Sequence, residues 1–301
     1  MTGVRFRGVI LVVMALGLAA APTLAASKSP KPEKIPKSVL VEAARTVPGG
    51  RGVDVVVGQA ELGANINPSM ATVALAGGVL GVLIDAKVSN DRAKRAEVSV
   101  TPMRAVLIDF DADQLAIDTT KAATADLPWF GGTASAFTRD PTAVAKLAYL
   151  DTSGDAQVAF FDWVYDTAPD FSSIRVGVRI TLANKDAGGG NPESRLSKKG
   201  LVFDHTVTSV VLLDHPGDAA DNSARWAAND GALVKKALGV AFAEAGVLIP
   251  RALAINQDDY ERMQAAEVKS VGAYKGKLQE EGPGGTLLFN GGLVHVQTLA
   301  L

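Results

Sequence analysis

The chain has no cysteine in its 301 residues. That excludes thiol catalysis, Cys-ligated zinc, iron–sulfur clusters, disulfides and a lipid anchor on an N-terminal cysteine. Histidine is nearly as scarce: the three are His205, His215 and His295, and no His-x-x-x-His pair occurs. A Gly-x-Ser-x-Gly elbow is also missing, so neither the helical zinc motif nor the hydrolase nucleophile turn is encoded. The formal net charge of -2 argues against a nucleic-acid partner, which calls for a basic stripe.

What is present first is a leader. Arg5 and Arg7 precede an uncharged apolar run, Gly8 to Ala21, closed by Pro22-Thr23-Leu24-Ala25-Ala26. The run is shorter than the roughly 20 apolar residues that cross a bilayer, so residues 1–25 read as a signal peptide rather than an anchor. Small side chains at Thr23 and Ala25 place cleavage after Ala25, with Ala26 as the next choice. Loss of Arg5 and Arg7 takes the charge from -2 to -4. Export without cysteine points to a bacterial cell envelope, the periplasm first and secretion second.

Residues 26–37 carry Lys28, Lys31, Lys34 and Lys37 among Pro30, Pro32 and Pro36, the composition of an extended, solvated tether. With 48% hydrophobic and 21% charged residues, the remainder, 38–301, reads as a single α+β domain: a mixed or mostly antiparallel sheet packed against helices. Val39–Val41 and Val53–Gly58 are predicted strands, joined by a turn at Pro48-Gly49-Gly50-Arg51-Gly52. Val158–Tyr165 and Ile174–Leu182 form a predicted hairpin, with Val176, Val178, Ile180 and Leu182 on one face. Leu201–Leu213 returns as a third strand that puts Phe203, His205, Val207, Ser209 and Val211 on one face.

Helical spacing governs Asn222–Leu253, interrupted at Gly231 and ended near Pro250. A polar helix is expected over Asp258–Lys269, and Asn290-Gly291 marks the turn of a hairpin within Thr286–Val296. Earlier in the chain, Pro102 is expected to break or start a helix, with an amphipathic stretch over Met103–Leu115. Met70–Ile84 is uncharged and almost wholly apolar, with Ser69 as its N-cap. It contains Gly77, Gly78 and Gly81, and Gly77-x-x-x-Gly81 lets two helix backbones approach closely. Three readings stay open for it: a buried core helix, helix packing in a homo-oligomer, or shallow contact with a membrane.

Few residues suggest chemistry. Asp109, Asp111 and Asp113 alternate as in a calcium loop, but Gln114 stands where the turn needs Gly and Thr120 where a bidentate Glu would close the cage. Asp204 precedes His205 and Asp214 precedes His215, yet neighbours in a strand face opposite ways, so Asp204 is badly placed to orient the His205 ring. Gly131-Gly132 and Gly282-Pro283-Gly284-Gly285 lack the surroundings of a phosphate loop. Trp129-Phe130 and Phe160-Phe161-Asp162-Trp163 pack a core or line a groove.

The order of signal, tether and exported α+β domain is similar to that of envelope proteins of the curli-secretion lipoprotein and TolB amino-terminal type. The lipidated cysteine of such lipoproteins is missing, and no residue role carries over. The sequence therefore points to a non-catalytic binding or assembly module that self-associates through Gly77, Gly78 and Gly81 or meets an envelope partner, with no cofactor and no metal. A periplasmic hydrolase built from scattered Asp and His residues is the alternative. Asp109, Asp111, His205 and His215 meeting in one concave site would favour it.

Overall fold

Valine at four of seven positions, on both faces of the strand, has little use where one side is solvated, and β1, Arg51–Val57, is indeed buried along its whole length. The computed structural model describes residues 35–47, 50–64, 86–131, 135–187, 192–197 and 200–299, with the backbone alone for 86–95, 192 and 193. The signal segment, most of the tether and Met70–Ile84, with Gly77, Gly78 and Gly81, lie outside the described residues. Residues 35–301 make one compact unit.

Among the described residues β1 belongs to a mixed ten-stranded sheet. On one side of it runs β3, Ser135–Thr138, and on the other β4, Gln157–Thr167, both parallel to it. The two-residue β2, Gly63–Ala64, adds to the end of β4. From β4 the sheet continues antiparallel through β5, Ser173–Asn184, and β6, Leu201–Leu213. Beyond β6 lie β10, Leu293–Leu299, which is parallel to it, then β9, Gly285–Phe289, β8, Tyr274–Gly282, and β7, Val268–Val271. The α+β class and mixed sheet expected from the sequence are therefore present.

One face of the sheet carries the main core. Val176, Val178, Ile180 and Leu182 of β5 are fully buried there with Phe203, Val207 and Val211 of β6 and Phe161 and Trp163 of β4. Helices α2, Ala86–Val106, α3, Ala112–Ala125, and α5, Ala219–Ala254, supply its other half through Met103, Ala116, Trp226, Phe242 and Leu248. Trp163 stacks on Phe242 and donates its indole N–H to Thr120 Oγ1 at 3.0 Å, which satisfies a polar atom within the core. On the opposite face α4, Ala143–Thr152, covers a smaller cluster of Val56, Leu150, Val158, Phe160 and Leu201.

Several expected boundaries move, each for a physical reason. Val39–Val41 is no strand: Val39 N donates to Pro36 O in a turn, Val39 and Leu40 plug the core, and the helix formers that follow make α1, Glu42–Arg45. Arg51 and Gly52 pair with Gln157 and Val158 and so belong to β1 rather than to the turn. α2 runs through Pro102, which is exposed, while Val100 and Met103 on the buried side hold both halves against the core. The amphipathic stretch after it is cut by the turn between α2 and α3. α5 continues past Pro250 because Ala252 and Leu253 are buried. The polar helix ends early: α6, Gln257–Ala265, carries an Asn256–Asp259 capping box, and Val268 to Lys269 already belong to β7.

Candidate functional site

Strand β1 ends at Val57, and the chain turns away through Gly58 to Leu62 beside the carboxyl end of β4. Open sheets collect ligands beyond the carboxyl ends of parallel strands because the connections diverge there. Here the gap is a cleft of two joined cavities, of ≈ 250 Å³ and ≈ 340 Å³, which share Ala60, Ile108, Phe110 and Tyr165. The turn between α2 and α3 forms its lip, and Ile108 at the tip is 81% exposed.

The walls are held by the backbone as much as by charge. Gln59 Nε2 donates to Tyr165 O at 2.6 Å and to Glu61 O at 2.9 Å, which ties the β1 exit to β4. Arg104 Nε donates to Leu62 O at 2.9 Å, and its guanidinium pairs with Glu61 at 3.2 Å and with Glu97. Across the cleft Arg139 pairs with Asp113 and donates to Gln59 O at 3.1 Å. Burial, then the nearby Asp113 charge, raises the Tyr165 hydroxyl above its usual range.

Of the three alternating carboxylates, Asp111 Oδ1 accepts from Gln114 N at 2.9 Å as the N-cap of α3, and Asp113 is held by Arg139. They do not converge on one point, and among the described residues no group of three or more His, Asp or Glu side chains could hold a metal. Asp109 and Asp111 line the cleft, but neither histidine joins them. His205 is 1% exposed in the main core, its ring parallel to Phe203 and its Nδ1 3.3 Å from Ser38 O. Burial lowers its pKa to about 4, so the ring is neutral, with Nδ1–H donating to Ser38. His215 is exposed after β6, at a backbone φ of 46°, with Asp214 at 3.5 Å. Asp204 faces away from His205, as strand alternation requires. His295 instead lies 3.3 Å from Glu244 of α5.

A second polar group escaped the sequence reading. On the sheet face beneath α4, charges alternate across three strands: Lys146 of α4 pairs with Asp162 of β4, and Arg179 of β5 holds Asp204 of β6 bidentately at 2.8 and 2.9 Å. Next to them Asp54 of β1 is 2% exposed, and its Oδ1 has no hydrogen-bond partner. Burial, then repulsion from Asp162, pushes Asp54 up to about 6 against the attraction of Lys146. Asp162 is also raised, chiefly by burial. The signal for this group was one carboxylate inside the valine run of β1. Its partners come from a helix and from strands about ninety or more residues further along the chain, so spacing could not name them.

The chain matches no protein-family model, no curated protein and no solved structure.

Proposed function

We propose that the chain is an exported cell-envelope protein of the periplasm that binds a partner or assembles rather than catalysing a reaction. The observation that carries this reading is the dispersal of the acid–base candidates: Asp109 and Asp111 at the cleft lip, His205 sealed in the core, His215 on an exposed turn. The cleft itself offers an apolar wall of Leu62, Leu107, Ile108 and Phe110 between ion pairs, which suits docking of a partner chain. Self-association through Gly77, Gly78 and Gly81 is part of the proposal, on the strength of their helical spacing.

The hydrolase reading has one observation on its side, two carboxylates raised above their usual range beside Lys146. It needs those groups open to substrate, and Asp54 is enclosed beneath α4. Two measurements test the binding reading. Fractionation of the host cell should recover the protein from the periplasm, and recovery from the cytoplasm would contradict export. Size exclusion with light scattering on residues 26–301 should give a multimer that Gly77→Leu with Gly81→Leu reduces to a monomer. A folded double variant that elutes like the parent would end the self-association proposal.

A further inference from the structure

Asp54 stands between Val53 and Val55 in a strand that is otherwise valine from residue 53 to 57, and the arrangement around it is short of one positive charge. Among the described residues the one ammonium that faces it, Lys146 of α4, is paired with Asp162 of β4, so two carboxylates share one cation. The other elements packed around the group do not correct this. Arg179 of β5 is held by Asp204 of β6. Strand β3 places Ala136 opposite Asp54. Asp155, in the turn between α4 and β4, adds a further negative charge near Tyr149, whose hydroxyl donates to Val53 O at 3.2 Å. At the carboxyl end of α4, Arg195 is held by Asp151, and Lys185 donates to Asp151 O at 2.9 Å.

We propose that Asp54 is a proton-binding site that sets how firmly α4 sits on the sheet. With Asp54 ionised, the set of Asp54, Asp162 and Lys146 carries one unbalanced negative charge under the helix. A proton taken from solvent onto Asp54 balances the set, leaves Lys146 wholly to Asp162, and turns an enclosed bare oxygen into a group that can donate. Enclosed charge without a partner is costly and a neutral carboxyl much less so, which fixes the direction: α4 is held more tightly in acid than at neutral pH. The element that responds lies at the sheet edge, where Val144 of α4 is 78% exposed and Phe137 of β3 is also exposed. Mild acid therefore steadies an apolar sheet edge.

Hydrogen exchange of the α4 amides at about pH 7.5 and pH 5, corrected for intrinsic exchange rates and referred to the amides of α5, tests this. The expected result is protection of α4 about tenfold higher at the lower pH, set by the energy of a pKa unit. In Asp54→Asn, which imitates the neutral carboxyl, α4 should be protected at both pH values as the parent is in acid. Equal α4 protection in the parent at the two pH values, or an undiminished pH dependence in the variant, overturns the proposal. Should Asp54→Asn not fold, carbon NMR of the parent still decides: a carboxyl midpoint near 6 for Asp54 supports it, and one below about 5 overturns it.

Discussion

Asp54 and His205 lie on opposite faces of the sheet, and burial moves them in opposite directions. Asp54 is raised from 3.8 to about 6, so its contribution to stability is fully present below pH 3.8 and is lost as pH rises through 6. His205 is lowered from 6.5 to about 4, so its contribution is present above pH 6.5 and is lost as pH falls through 4. At neutral pH the ionised Asp54 costs about 2–3 kcal/mol, from 1.36 kcal/mol for each pKa unit. Asp54→Asn should therefore stabilise the protein by about that much at pH 7 and by nearly nothing at pH 4, as read from urea midpoints. A variant equally stable to the parent at pH 7 would show that the carboxylate has a partner in solution.

Arg51 is the reverse case, a buried cation that pairs with no carboxylate among the described residues. Its guanidinium donates to Trp129 O, Phe130 O, Ala44 O and Arg45 O at 2.9–3.4 Å and to Gln157 at 2.5 Å, and it packs on the Trp129 and Phe130 rings. Burial lowers its pKa to about 10, still charged at neutral pH. Arg51→Met leaves several enclosed carbonyls without donors and should cost about 3–5 kcal/mol in urea unfolding. Arg51→Lys should recover only part of that loss, since one ammonium cannot reach four carbonyls at such separations.

At the scale of elements, the break in α5 is constrained in two ways. Asn229, Asp230 and Gly231 take left-handed backbone angles in succession, with φ of 52°, 57° and 70°. Asn and Asp are the side chains that tolerate this region, and the third position needs glycine for a second reason. A Cβ on Gly231 would lie 2.4 Å from Val106 Cγ2 on α2. Gly231→Ala should thus lower stability by about 2–4 kcal/mol, combining backbone strain and overpacking, whereas Asn229→Gly should change it by less than about 1 kcal/mol. Thermal melts of the two variants separate these outcomes. The interruption at Gly231 was legible because a glycine interrupts a helical stripe. The close approach of α2 was not, since it depends on how two helices cross.

Across the whole molecule the C-terminal hairpins complete the sheet from the far end of the chain. β10 runs parallel to β6 with Leu293 opposite Val207, and Leu287, Phe289 and Leu293 enter the main core. Each such side chain contributes about 1.5–3 kcal/mol on burial, and the three together approach the total stability of an ordinary domain. A chain ending at Ala266 should therefore be unfolded by circular dichroism. A cooperative melt of that fragment would show that β1 to α6 suffice. The central β4–β5–β6 meander was legible in the sequence because alternation and turn residues are local. The β1–β3–β4 and β6–β10 pairings were not, because parallel neighbours are joined by long crossovers that leave no local mark.

The sequence by itself determined the α+β class, the strands that form the core, the α5 break, the Asn290-Gly291 turn and the exclusion of cysteine chemistry. Each follows from periodicity, backbone preference or composition, which act over a few residues. Only the tertiary structure decided that His205 is sealed behind Phe203, that Asp109 and Asp111 edge a cleft with no histidine in it, and that Asp54 shares one ammonium with Asp162. Those outcomes depend on which distant side chains meet and on how far water is excluded around them. A lone aspartate among valines shows that a charge is out of place, and its neighbours in space set its pKa.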